Sequence, residues 1–207
     1  MQDRAAATIQ RIVQAAGEMI DRDGYAGAST LEIQKLARVS PGGFYHHFPN
    51  KKALGDAVLA RQTTFFSEVA GEPPPGLWLQ FLVDVSFAYS EGIRKDPVLR
   101  AAVRLSTEPG PYQQAESYEA PLGAVSRLLE AAGQAGELRA GIPPARAAQT
   151  LVGCFTGVQT VSFIVTDRQD LEEQVSLMWA MCLPGIARPD VLALLRLSPP
   201  EDRALSR

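Results

Sequence analysis

The side chains best suited to specific chemistry crowd into one short stretch, Pro41-Gly42-Gly43-Phe44-Tyr45-His46-His47. Glycine inside a helix costs about 1 kcal/mol relative to alanine. Two in a row at a helix start are therefore useful only where something must approach the backbone closely, such as a DNA groove edge, and a helix N-terminus also attracts phosphate. Tyr45 and His47 can donate hydrogen bonds to phosphate oxygens, with Lys51 as a positive charge just beyond. The plainer alternative is a partly buried helix face, and Phe44 and Phe48 are expected in the core. Catalytic or metal chemistry finds little support. His46 and His47 are the only histidines. As neighbours on a helix they point about 100° apart and have no standard ligand spacing to Cys154 or Cys182. No phosphate loop, nucleophile elbow or paired-carboxylate motif occurs. The sequence thus reads as a non-enzyme with no metal and no cofactor.

Something must hold that stretch in place, and the periodicity supplies it. Apolar residues recur at helical spacing throughout, strand signals are nearly absent, and nine or ten helices are expected. Ile9, Ile12, Val13, Ala16, Met19 and Ile20 make one stripe of a first helix over 4–22, which should end near Gly24 in a left-handed cap. A short second helix should open at Ser29, with Glu32 completing a capping box. Leu31, Ile33, Leu36 and Ala37 are its core candidates. Ser40 should cap the third helix with Pro41 at its first position, and Asn50 a fourth over 51–69. A long helix followed by two short ones across a tight turn is the layout of a helix-turn-helix. Gly71-Glu72-Pro73-Pro74-Pro75-Gly76 marks a joint. Further helices are expected near 77–94, 97–106, 118–135, 143–166, 169–183 and 189–196, and residues 197–207 should fray.

Charge agrees with this plan. The chain is −3 overall, but residues 1–61 carry eight basic and six acidic side chains, a basic head on an acidic body. With 46% hydrophobic residues it can bury a core. Both cysteines lie in apolar runs and read as small hydrophobes. Neither a signal peptide nor a membrane span is evident, so a cytoplasmic, membrane-free protein is expected.

The motifs Gly24-Tyr25, Ser29-Thr30, Glu32-Ile33, Leu36-Ala37, Val39-Ser40, Gly43-Phe44-Tyr45-His46-His47-Phe48 and Asn50-Lys51-Lys52-Ala53-Leu54 closely resemble the N-terminal signature of TetR-family repressors. The resemblance spans about residues 8–60. It implies an all-α fold, with a helix-turn-helix head over 1–52 and a ligand-binding and dimerisation domain over 53–200, joined by helix 51–69. It places Pro41, Gly42 and Gly43 at base contacts and Thr30, Tyr45, His47 and Lys51 at phosphate contacts. Many relatives carry a polar residue where this chain has Pro41, so readout should lean on thymine-methyl contacts, His46 and DNA shape. The segments Asp96-Pro97-Val98-Leu99-Arg100-Ala101-Ala102-Val103-Arg104-Leu105 and Gly136-Glu137-Leu138-Arg139-Ala140-Gly141 resemble the γ-butyrolactone-type autoregulator receptors of Streptomyces. That group usually carries a tryptophan near 117–122, where this chain has Tyr118, Glu119, Ala120 and Pro121. The implied partners are operator DNA, a small lipophilic ligand and a second copy of the chain. Alternatives remain: a pseudo-receptor or multidrug-type regulator sensing another molecule such as an antibiotic, or a helical ligand-binding module without DNA function.

For the ligand, Phe66, Trp78, Phe81, Phe87, Tyr89, Phe155, Gln159, Phe163 and Trp179 are large or polar enough to line a cavity between body helices, although core packing explains any one of them. Gln159, a lone amide in a very apolar helix, is the preferred polar anchor. That helix should be buried on several sides, in a core or at a homodimer interface.

Overall fold

The computed structural model describes residues 2–69 and 76–200. Residues 71–75 of the expected joint at 71–76, and 201–207 of the end expected to fray over 197–207, lie outside the described residues. The described chain is helical with one isolated bridge, Leu138 to Ala187, and no strand. The helices are α1 (Gln2–Gly27), α2 (Thr30–Ala37), α3 (Pro41–His47), α4 (Lys51–Val69), α5 (Trp78–Lys95), α6 (Pro97–Thr107), α7 (Glu119–Gln134), α8 (Pro144–Thr166), α9 (Leu171–Ile186) and α10 (Pro189–Leu192). A 3-10 turn, Ala115–Tyr118, precedes α7.

The chain divides into two compact units, residues 1–65 with 93–118, and residues 66–92 with 119–207. In the first unit the core comprises Ile12, Ala16 and Ile20 of α1, Ile33 and Ala37 of α2, Phe44 beside Phe48, and Leu54 and Val58 of α4. It also takes Val98, Ala101, Ala102 and Leu105 from α6, and Tyr112. The packed unit is therefore drawn differently from a head ending at residue 52, because α6 presents a small-residue stripe that α1 can meet closely. A Cβ on Gly17 would lie 2.8 Å from Val98 Cα, so only glycine fits there. Gly24, with φ 72° and ψ 171°, breaks α1 where an end is expected, in an extended rather than a left-handed helical conformation that favours glycine. A further helical turn follows the kink to Gly27. A Cβ on Gly24 would also crowd Glu108 Oε2 at 3.0 Å.

Polar bonds reinforce the same contact. Arg100 pairs with the Asp21 carboxylate at 2.7 Å and donates to the Arg94 carbonyl at 2.8 Å. Arg104 donates to the Asp21 carbonyl and pairs with Glu108. Asp96 caps α6, accepting from the Val98 and Leu99 amides, and pairs with Arg61 at 2.7 Å. The Tyr112 hydroxyl donates to the Lys52 carbonyl at 2.7 Å, and its ring meets Tyr25 edge-on at 5.2 Å. Burial pushes this phenol far above its ordinary pKa.

Three local expectations change. Ser29 occupies the N-cap position of α2, but its side chain makes no capping bond; the first turn closes through the Ile33 amide on the Ser29 carbonyl at 2.9 Å. In α2 only Ile33 and Ala37 of the four core candidates are buried, while Leu31 and Leu36 are about half exposed. An eight-residue helix packing along one side cannot bury a stripe that wide. In α1, Ile9 is likewise exposed, one turn beyond the packed face.

The second unit builds its core from Leu79, Leu82, Val83 and Phe87 of α5, Leu129 and Ala132 of α7, Ala148 and Leu151 of α8, and Leu171, Val175, Met178, Trp179 and Leu183 of α9. The buried Glu137 carboxylate accepts from the Trp78 and Leu79 amides, each at 2.8 Å, satisfying the start of α5. Cys154 and Cys182 are free and half-buried, and burial pushes the Cys182 thiol up to about 11.

Helix α8 is the one described helix long and apolar enough to cross a membrane, and just 28% of its most apolar stretch is buried within the chain. Val161, Ile164 and Val165 on α8, with Leu177 and Met181 on α9, are between 51% and 83% exposed. Of the two settings expected for α8, a core or a homodimer interface, a single chain supplies no cover for its outward side.

Candidate nucleic-acid interface and effector site

The third helix is set by its ends and its buried face. Pro41 takes the first position, and the Ser40 hydroxyl accepts from the Gly43 amide at 3.2 Å. Phe44 is fully buried and Phe48, one turn on, nearly so. Anchoring that side turns Pro41, Gly42, Tyr45 and His46 to solvent, with Gly43 and His47 half-exposed. The Tyr45 ring leans edge-on against Phe44, centroids 5.3 Å apart, leaving the ring half exposed. His46 and His47 lie edge to face at 5.1 Å. Gly42 is the telling position: a Cβ there would meet nothing within 4 Å. The fold itself does not demand glycine at 42.

The flanking residues start neighbouring helices. Thr30 opens α2 and is half-buried. Lys51 opens α4, donates to the Ala26 carbonyl at 3.2 Å and lies over the Tyr25 ring at 4.9 Å. Partial burial holds its pKa below the ordinary lysine value. Lys51 is thus tied to the α1–α2 junction. Asn50 caps α4 as expected, accepting from the Ala53 amide at 2.8 Å. The eight positions read as DNA-facing fall on three successive helix starts and one exposed helix side.

The ligand candidates separate. Phe66, Tyr89 and Phe155 form an aromatic ladder, with centroids 5.1 Å and then 5.5 Å apart. Gln159 is one turn after Phe155 on the same side of α8 and is 3% exposed. Trp179 sits in the core, its indole N–H donating to Ser86 Oγ at 2.8 Å. Phe81 and Phe87 are buried in α5. Trp78 packs at the edge of the core at the start of α5, about 16 Å of helix rise from Tyr89. Phe163 lies near the exposed end of α8, about 12 Å of rise from Phe155, beneath the Arg168 guanidinium at 4.1 Å. Phe66, Tyr89, Phe155 and Gln159 therefore gather, and the others stand apart. Among the described residues, no three His, Cys, Asp or Glu side chains converge as a metal site.

Residues 5–58 match the family model for bacterial regulatory proteins of the tetR family. Over 207 residues the chain is 37% identical to the A-factor receptor protein of Streptomyces griseus, covering 98% of this chain and 71% of that protein. The chain belongs to the TetR family. Solved relatives share its fold along nearly the whole length. Full-length TylP, a TetR regulator from Streptomyces fradiae, superposes with a TM-score of 0.81 at 33% identity, covering 92% of each chain. The TetR family protein CprB from S. coelicolor A3(2) gives 0.74 at 25% identity, over 90% of this chain and 92% of that one. This TetR-family chain is a DNA-binding regulator with a helix-turn-helix, and not an enzyme.

Sequence reasoning missed the residues that hold α6 and Tyr112 in the first unit. Arg100 and Arg104 are visible in the sequence as a four-residue spacing on a helix. Their partner Asp21 lies about eighty positions away, and no local pattern announces such a pairing.

Proposed function

We propose that this regulator is a ligand-responsive repressor that binds a pseudo-palindromic operator as a homodimer and leaves it when a small lipophilic signal binds. The carrying observation is the exposed side of α3. Its two glycines, tyrosine and histidines stand over a buried Phe44–Phe48 base, and the open space at Gly42 has no use inside the chain. Tyr45, His47, Thr30 and Lys51 hold phosphates in this reading, while Pro41, Gly42, Gly43 and His46 meet the groove. Specificity then comes from apolar contacts and DNA shape more than from bidentate side chains.

The uncovered apolar sides of α8 and α9 make the dimer, as a four-helix bundle. The two-fold axis sets the recognition helices about 34–36 Å apart, in successive major grooves. The signal is of the γ-butyrolactone type and sits along the Phe66–Tyr89–Phe155 ladder beside Gln159. Support comes from the similarity along 98% of the chain to a protein named as the receptor of A-factor. A ligand preferring the state with unsuitably spaced heads weakens DNA binding by its differential affinity, typically about 1–3 kcal/mol.

The test is a mobility shift with DNA from upstream of the protein's own gene, with and without an organic extract of the producing organism. A specific shift abolished by the extract is the expected result. A shift indifferent to the extract would remove the butyrolactone-type release. No shift, there or in a selection from genomic fragments, would refute the operator reading.

A further inference from the structure

A groove of about 1010 Å³ opens within the first unit, between α1, the end of α2, α4 and the start of α6. Small side chains keep it open. Ala7 and Ala15 of α1 and Ala57 and Ala60 of α4 line it, where larger residues would narrow it. Ile9 and Leu36, exposed although apolar, belong to the same lining. Apolar residues exposed singly are ordinary, but two on one groove suit an apolar partner. Three arginines and two acids, Arg11, Arg38 and Arg61 with Glu18 and Asp96, also line it, a surplus of one positive charge. Both acids are already engaged. Glu18 accepts from the Gln14 amide at 2.9 Å, and Asp96 pairs with Arg61 at 2.7 Å. Arg11 and Arg38 are exposed, and among the described residues neither pairs with a carboxylate; Arg11 donates to Thr8 Oγ1 at 3.3 Å. Arg38 ends α2 with φ 54° and ψ 49°, the left-handed region where glycine is favoured at a helix end and a side chain is a cost. A long cation at that position serves something other than the turn.

We propose that this groove is a small-molecule site of the first unit, additional to the effector site, and that its ligand is an organic monocarboxylate with an apolar body. The carboxylate pairs with the Arg38 guanidinium, whose planar fork matches it, with Arg11 adding charge. The body lies along Ile9, Leu36 and the alanines. A single negative charge matches the surplus of one, whereas a dianion would also meet Glu18 and Asp96. An ion pair at an exposed rim is worth little by itself. The apolar body must therefore supply much of the affinity, and neither half of the ligand should bind well without the other.

The probe is 2-naphthoate, titrated calorimetrically into the full chain. Acetate carries its charge without the body, and 2-naphthalenemethanol its rings without the charge. The wild type should bind naphthoate at least about tenfold more tightly than acetate and at least about fivefold more tightly than the alcohol. Two variants then locate the site. Arg38→Gln keeps a long side chain and removes the charge, and should weaken naphthoate at least about fivefold while leaving the alcohol within about twofold. Ala60→Leu fills the groove from an exposed position and touches no charge, so it should weaken naphthoate and the alcohol together. No naphthoate binding by the wild type would overturn the proposal. So would acetate bound as tightly, which would leave Arg38 a bare anion contact. Naphthoate binding that survives both variants would place the ligand elsewhere, the effector site included, and would overturn it equally.

Discussion

Replacing Gly42 by alanine separates a glycine kept for folding from one kept for a partner. The added methyl meets nothing within 4 Å, so no clash inside the chain opposes it. Alanine is preferred over glycine in a helix by about 1 kcal/mol, and near the first turn of α3 about half of that is expected. Gly42→Ala should therefore leave stability unchanged or raise it by about 0.5 kcal/mol. On DNA the sign reverses. If the backbone at 42 lies against the groove edge, the methyl overfills a tight contact at a cost of about 1–3 kcal/mol. That is about 5- to 150-fold in Kd, since about 1.4 kcal/mol is tenfold. No charge is removed, so the slope of log K against log salt should not change. Fluorescence anisotropy with an operator fragment at several fixed salt concentrations, beside a urea melt, measures all three quantities. Operator affinity within twofold of wild type, in a variant at least as stable, would refute the close approach. The assignment of α3 as the groove-facing helix would then lose its main support.

Gly17→Ala should show the opposite pattern. Its Cβ would lie 2.8 Å from Val98 Cα, and backbone cannot swing aside, so overpacking of about 1–3 kcal/mol outweighs the propensity gain. Calorimetry should give a lower Tm by about 2–4 °C per kcal/mol. The double substitution Ile164→Glu with Met181→Glu puts charge on residues 73% and 83% exposed in one chain, and should leave the fold intact while sedimentation reports a monomer. A charged double variant that still sediments as a dimer would move the interface elsewhere. Asp170 accepts from the Ser162 and Thr166 hydroxyls, each at 2.5 Å, and these bonds hold its pKa below the ordinary 3.8. With the folded value depressed, its stabilisation is fully present above about pH 4 and is lost as pH falls through the folded value. The Tm gap between wild type and Asp170→Asn should thus be constant from pH 5 to 7 and shrink below pH 4.

The helix count, the helix-turn-helix and the caps at Ser40 and Asn50 were legible because each is local. Period, breaker and capping residue lie within a few positions of one another. Local reading also had limits within a helix. Leu31 and Leu36 look like core because they are leucines at helical spacing, yet α2 has only one packed side and Ile33 with Ala37 fills it. Gly24 announced the break in α1, where its φ of 72° and ψ of 171° interrupt the helix, but not the further helical turn that follows to Gly27. What could not be read were pairings across the chain: Arg100 with Asp21, Tyr112 with Lys52, and Glu137 with the start of α5. The ligand candidates show the same limit. Aromatic type nominated most of them, and only three dimensions set Phe66, Tyr89 and Phe155 in one ladder while leaving Trp78 and Phe163 turns away.

The glycines sort themselves by what they face. Two that would collide with the chain's own atoms, Gly17 with Val98 and Gly55 with Tyr112, face residues 93–118, and Gly24 is crowded there by Glu108 and Arg104. These hold one unit together, and their small size serves packing. A second set on helices faces open space: Gly42 on α3, Gly153 and Gly157 on α8, and Gly185 on α9. Helical glycine that touches nothing is a net cost to the isolated chain. Gly153, Gly157, Val161 and Ile164 succeed one another at three- and four-residue steps, so they form a single outward stripe of α8, small at one end and large and apolar at the other. A stripe of that shape suits another helix crossing closely over the glycines while apolar side chains close the far end, just as a bare backbone at Gly42 suits a groove edge. The same physical reasoning therefore supports both proposed surfaces, and the two fail independently. Gly157→Ala should weaken dimerisation and leave the intrinsic contact of each head with DNA untouched, whereas Gly42→Ala should weaken that contact in a protein that still dimerises.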